Sequence, residues 1–231
     1  MRIKALVSAF PYTVPVLMGY LFLGIAFGVL LGSNGYHVGW AFLMSLLIYA
    51  GAMQFVAIGL LLGPFGLISA FIMTLSVNAR HLFYGLSMLD KFKVSGHFKP
   101  YMIFSLTDET YSLLCAIEPP KGVNPKWFMF FLAALNHSYW ILGGVLGALV
   151  GTLITFDTTG IEFAMTALFV VIFVEQWEST KNHFPAMLGV GISILCLLIF
   201  GANHFIFFAM LGILGSLMMH RFLRQRKMQT K

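Results

Sequence analysis

The chain has 231 residues, a length that would suit one or two soluble domains. Hydrophobic residues make up 59% and charged residues 10%, and the mean hydropathy is +0.89, against about 45–50% and about 25% in ordinary globular chains. So few charges cannot cover a water-facing surface, which excludes a soluble globular protein and leaves lipid as the solvent. The net charge of +6 does not mark a nucleic-acid binder, because the basic residues flank apolar runs and build no aromatic-interleaved basic face. Arg2 and Lys4 precede the first run, and Arg221, Arg224, Arg226, Lys227 and Lys231 follow the last. That placement predicts a cytoplasmic location for both termini, the C-terminus above all, with a tail able to meet anionic headgroups of the bilayer. Cys115 and Cys196 lie inside apolar runs without metal-ligand spacing, so neither a metal nor a cofactor is expected.

A bilayer-crossing helix needs about 20 mostly apolar residues. In chain order the candidates are Tyr12–Leu31, Trp40–Leu62, Phe65–Leu89, Tyr101–Ile117, Trp127–Thr155, Ile161–Trp177, Phe184–Gly201 and His204–His220. The first begins near Pro11 and Pro15, lacks a cleavage site and reads as a retained span rather than a signal peptide. The expected fold is all-α: a polytopic membrane helix bundle with 7–8 transmembrane or re-entrant helices in a single domain over residues 1–231. Eight crossings would return the chain to the side on which it began. They would also put Lys91, Lys93 and Lys99 outside, against the charge rule, unless an early segment is re-entrant.

Gly24, Gly28 and Gly32 recur every four positions, as do Gly143, Gly147 and Gly151. Such spacing lets helix backbones approach closely in lipid. Gly39, Phe42, Met44, Ser45 and Leu47 align in register with Gly160, Phe163, Met165, Thr166 and Leu168. Two weakly related halves, 1–120 and 121–231, are one reading, and paired halves are typical of transporters. Chance similarity of two Gly/Phe/Met-rich helices is the other.

Ionisable groups at membrane depth cost about 2.5–3.5 kcal/mol each on insertion scales and are functional by default. Arg80 lies well inside its apolar run, accompanied by Asn78, His81 and Tyr84, with Arg80 and Tyr84 one turn apart. Beyond the Asp90–Lys99 loop come Asp108 and Glu109. In an antiparallel hairpin these acids reach the depth of Arg80, so an Arg80–Asp108 or Arg80–Glu109 pair is expected. It either staples two helices or lines a wet cavity, where the guanidinium takes a carboxylate and the acid takes an ammonium group or a proton. Gln54 follows Ala50-Gly51-Ala52-Met53, small residues that suggest an unwound helix facing a ligand, or else an ordinary interhelical bond. Asn136 and His137 form a second polar cluster, readable as a site or as packing. Glu162, Glu175, Gln176 and Glu178 read as interfacial.

Three segments in this order resemble the AzlC family, the large subunit of bacterial branched-chain amino acid exporters: Ala50-Gly51-Ala52-Met53-Gln54-Phe55, Asn78-Ala79-Arg80-His81-Leu82-Phe83-Tyr84-Gly85-Leu86-Ser87 and Leu106-Thr107-Asp108-Glu109. Met53 stands where the family more often has serine. The resemblance implies proton-driven export of leucine, isoleucine and valine, with methionine a further candidate, across the bacterial cytoplasmic (inner) membrane. It also implies a separately encoded small membrane subunit of the AzlD type. The substrate-binding candidates are Gln54, Asn78, Arg80, Tyr84 and Asp108, with Asp108 and Glu109 as proton-coupling candidates. A channel, or a carrier for another small solute, is the alternative. An enzyme is not expected, since the sequence lacks H-E-x-x-H, G-x-S-x-G and a P-loop.

Overall fold

A computed structural model describes residues 2–63, 66–153 and 182–201, with 163, 170, 173–174, 177–178, 205, 208–209, 211–213 and 215–220. The basic tail, Glu162, Glu175, Gln176 and the matched Gly160, Met165, Thr166 and Leu168 lie outside the described residues. The described residues are helical or irregular and contain no strand. They group into two compact units, Met1–Phe65 with Val77–Thr166, and Gly66–Ser76 with Ala167–Lys231.

In the first unit, α1 (Arg2–Ser33) and α7 (Pro125–Leu153) are the helices long and apolar enough to cross a membrane. α1 starts ten residues before the predicted Tyr12 and runs through Pro11 and Pro15. Proline is tolerated in a helix at membrane depth where neighbouring helices and polar side chains re-satisfy the carbonyls it frees. The two glycine rows meet: Gly24 lies against Gly143, Gly28 against Gly144 and Gly147, and Gly32 against Gly151. Both rows ascend together, so α1 and α7 run parallel.

Between them the structure departs from straight crossings. The predicted Trp40–Leu62 span is two helices, α2 (Val38–Leu47) and α3 (Gly51–Leu62), broken at Ile48–Ala50. Tyr49 has φ 43°, a left-handed conformation uncommon outside glycine. The chain turns back there: Tyr36 Oη, just before α2, donates to Leu61 O near the end of α3 at 3.3 Å. α4 (Leu67–Ser87) follows, then a 3-10 helix (Lys91–Phe98). The predicted Tyr101–Ile117 span is likewise two helices, α5 (Lys99–Phe104) and α6 (Asp108–Ala116), broken at Ser105–Thr107. This segment also doubles back, since Lys91 donates to Leu114 O near the end of α6. The C-terminal half of α4 and α6 therefore run parallel, with Tyr84 stacked on Tyr111 at 4.4 Å and Ser87 Oγ donating to Tyr111 Oη at 3.1 Å. The antiparallel hairpin expected from the sequence does not form, because the turn comes inside the apolar run rather than at its end.

The two hairpins enter from opposite ends. One end gathers Arg2, stacked over Trp127 at 4.5 Å, Lys4 beside Gly122, and Lys126 bonded to His97 at 3.3 Å. Lys91, Lys93, Lys99 and Lys121 share it by connectivity. The connection between α1 and α2 at the other end, Asn34-Gly35-Tyr36-His37, has no Lys, Arg, Asp or Glu. The 90–99 loop thus lies on the N-terminal side, which removes the conflict that eight strict crossings created.

In the second unit, α8 (Phe184–Phe200) packs against later helical residues, with Gly212 close to Ile192 and Phe200 stacked on Phe208 at 4.0 Å. Phe173, Trp177, His183 and Val190 help line a cavity of about 550 Å³.

Candidate functional site

The tips of the two hairpins meet at mid-height of the first unit. Tyr20, which touches both, lies about 27 Å along α1 from Arg2 at 1.5 Å per residue. Each tip frees backbone groups that need partners away from water. At the end of α2, Met44 O takes both Ile48 N at 2.9 Å and Tyr49 N at 3.3 Å. Ser45 O is instead paired with His137 Nε2 at 3.2 Å. His137 reaches the other hairpin through Nδ1, 3.1 Å from Tyr101 Oη, and stacks on Tyr49 at 4.2 Å. One imidazole of α7 therefore ties both tips.

α6 begins with its own cap. Thr107 Oγ1 accepts from Thr110 N at 3.3 Å, and Asp108 and Glu109 fill the first turn, where the helix dipole favours acids. The two acids diverge. Asp108 Oδ2 takes Arg80 Nη1 at 2.8 Å, with the side chains 27% and 29% exposed. Of the two pairings left open by the sequence, this is the one that forms. It is single-pronged: Arg80 Nε and Asp108 Oδ1 are buried and have no partner among the described residues. Glu109 turns to α1, where Tyr20 Oη donates to its Oε2 at 2.7 Å. Tyr20 Oη is also 2.6 Å from Thr107 Oγ1, which is 3.0 Å from Thr110 Oγ1. Asn136 Nδ2 donates to Thr110 Oγ1 at 3.1 Å.

The other sequence candidates take separate places. Gln54 is fully buried, accepts from Trp140 Nε1 at 2.8 Å and donates to Ser45 Oγ at 3.4 Å, so it joins α2, α3 and α7 and does not touch Arg80. Asn78 is half-buried, and its backbone oxygen pairs with His81 Nδ1 at 3.2 Å. Tyr84 lies edge-on to His81 as well as on Tyr111. Asn136 and His137, expected as one cluster, serve different ends of it: Asn136 the Glu109 side and His137 the hairpin tips. The sequence reading named Thr107 only as part of a segment and did not single out Tyr20, Tyr49, Thr110 or Trp140. Polar-tipped aromatics and threonines are common in apolar runs, and only their convergence marks them. Trp140→Phe is expected to cost about 1–3 kcal/mol, because it strands a buried Gln54 carbonyl; thermal unfolding in detergent measures it.

Comparison with known proteins supplies the family. A model described as AzlC protein matches residues 15–154. The branched-chain amino acid transport protein AzlC of Bacillus subtilis is 50% identical over 210 residues, 91% of this chain and 83% of that protein. A membrane protein of Helicobacter pylori is 48% identical over 219 residues, 95% and 96% of the two chains. The inner membrane protein YgaZ of Escherichia coli is 25% identical over 178 residues, 74% and 72%. No solved structure matches. The matched region holds the glycine rows, both hairpins and the Arg80–Asp108 pair, and the chain belongs to the AzlC family.

Proposed function

We propose that this protein exports branched-chain amino acids, namely leucine, isoleucine, valine and also methionine, as a proton-coupled secondary carrier of the bacterial cytoplasmic membrane. In this reading it is the large subunit of a two-component permease whose small membrane subunit is of the AzlD type. The observation that carries the reading is the half-used ion pair. Arg80 Nε and Asp108 Oδ1 have no partner among the described residues, and Asp108 stands at the break that begins α6. An amino acid zwitterion offers the matching charges: its carboxylate to the guanidinium and its ammonium to the acid. Broken helices at mid-depth are where carriers place substrate and ion sites. The name of the Bacillus relative supports the substrate class. Gln54 supports the α2/α3 tip, and Asn78 and Tyr84 flank the pair. The proton falls to Asp108 or Glu109.

Selectivity for leucine over alanine would rest on apolar burial. Three CH₂ equivalents at about 0.8 kcal/mol each give about 2.4 kcal/mol, or roughly fiftyfold. Leucine efflux from dipeptide-loaded cells, with this chain expressed with and without its small partner, tests the reading. Saturable exchange of labelled leucine supports a carrier, and unsaturable flux a channel.

Orientation follows from the basic end, which the charge rule assigns to the cytoplasm. In a background free of native cysteines, Val94→Cys is expected to react with an impermeant maleimide only in inside-out vesicles. Asn34→Cys is expected to react only in intact spheroplasts. The reverse pattern would invert the topology.

A further inference from the structure

Glu109 Oε2, Tyr20 Oη, Thr107 Oγ1 and Thr110 Oγ1 form one line of oxygens, at successive separations of 2.7, 2.6 and 3.0 Å. Each hydroxyl owns one proton, and each hydrogen bond uses one. With Glu109 ionised, Tyr20 donates to the carboxylate and Thr107 turns its single proton to Tyr20, giving up the bond it donates to Thr110 in this structure. Asn136 Nδ2 then donates to Thr110 from behind at 3.1 Å. With Glu109 protonated the line runs from Glu109 to Tyr20, to Thr107, to Thr110, its last bond in the sense this structure shows. The proton of Thr110 is then left over and needs an acceptor. Asn136 Oδ1 and Tyr49 Oη are both buried and have no partner among the described residues. The Asn136 amide already touches Thr110, and the Tyr49 hydroxyl faces Tyr20, Thr107 and Thr110.

Among the described residues, four titratable or charged groups face Glu109: Tyr20 from α1, Tyr49 from the α2/α3 break, Asp108 from its own helix and Arg80 from α4. Arg80 is bound to Asp108, and α7 offers the uncharged Asn136, its His137 being held by Ser45 O and Tyr101. Asp108 therefore keeps a bonded countercharge, whereas the side-chain partner of Glu109 among the described residues is a neutral hydroxyl. An acid without a cation at membrane depth is the one that gains by taking up a proton.

We propose that Glu109, rather than Asp108, carries the coupled proton, and that the Tyr20–Thr107–Thr110 line relays its arrival to Asn136 on α7 and to Tyr49 at the α2/α3 break. The proton binds a carboxylate oxygen of Glu109 and leaves from it. No hydroxyl is ionised; the Tyr20 proton turns from Glu109 to Thr107, and the Thr107 proton from Tyr20 to Thr110. This rests on the exporter reading and decides one part of it.

The test uses the full chain, co-expressed with its small partner and reconstituted in proteoliposomes. Labelled leucine is followed in exchange without a gradient and in accumulation under an imposed pH gradient. Glu109→Gln is expected to retain measurable exchange that no longer depends on pH, and to cut gradient-driven accumulation by about tenfold or more, the size of a lost coupling. Thr110→Val, which leaves Glu109 able to bind the proton but cuts the relay, is expected to lose several-fold of the driven accumulation while exchange still responds to pH. Undiminished driven accumulation in Glu109→Gln overturns the proposal. So does complete loss of exchange, which would make Glu109 a substrate ligand, or accumulation driven by sodium. If Glu109→Gln does not fold, Thr110→Val decides, and full driven accumulation in that variant overturns the relay. Absence of leucine exchange in the parent protein would defeat the exporter reading instead.

Discussion

Arg80→Ala is expected to abolish leucine efflux, reducing it by about a hundredfold or more, the loss of a charge-assisted carboxylate contact worth about 3 kcal/mol. The same change leaves Asp108 without a countercharge. A fully buried pair broken in this way loses about 3–5 kcal/mol. With the two side chains 29% and 27% exposed, about 2 kcal/mol is expected here. Arg80→Lys separates the roles. A lysine still neutralises Asp108 but lacks the planar fork, so stability should hold while efflux falls about tenfold. Reversing the pair, Arg80→Asp with Asp108→Arg, is expected to restore the fold and not transport, since the substrate would meet inverted charges. Efflux from dipeptide-loaded cells and thermal unfolding of the purified protein read the two effects separately. A stable, fully active Arg80→Ala protein would dispose of both the binding and the stapling role.

The second large effect concerns the glycine rows. A Cβ at Gly28 would stand 2.1 Å from Gly144 O and 2.5 Å from Ala148 N, and a Cβ at Gly147 would stand 2.1 Å from Ile25 O. These neighbours are backbone and cannot swing aside, so α1 and α7 would have to separate along their shared face. Even Gly28→Ala is expected to cost about 3 kcal/mol, the upper part of the overpacking range. By the scaling for chains of this size, that lowers the melting temperature by about 6–12 °C. Gly28→Leu should prevent assembly. Gly59 is the control: nothing lies within 4 Å of its Cβ position, and Gly59→Ala should be neutral or stabilising by about 1 kcal/mol, because alanine is the better helix former. Fluorescence-monitored unfolding in detergent gives both. A Gly28→Ala protein as stable as the parent would mean that the helices do not pack at these glycines.

By itself the sequence determined the all-helical character, the close-packing glycine spacing and the polar residues that do not belong in lipid. Each follows from local composition: lipid excludes charge, and only glycine lets backbones touch. It also brought Arg80 and Asp108 to equal depth, although through a hairpin of the wrong sense. Tertiary structure decided the direction of the chain. Hydropathy measures how apolar a stretch is and does not tell a straight crossing from one that turns back, so Trp40–Leu62 and Tyr101–Ile117 read as single spans. The first turn, at Tyr49, lies beside the small residues Ala50-Gly51-Ala52 that suggested unwinding, and the second, at Ser105–Thr107, precedes a capped helix start, but each is stabilised by partners far along the chain, His137 for one tip and Tyr20 for the other. The fold likewise set the two glycine rows face to face rather than in separate halves, and sent Glu109 to a tyrosine 89 positions away instead of to the nearby arginine. The reason is the same in each case. At these depths a freed carbonyl or an acid takes whatever polar group the packed helices bring within reach, and sequence distance carries no information about which group that will be.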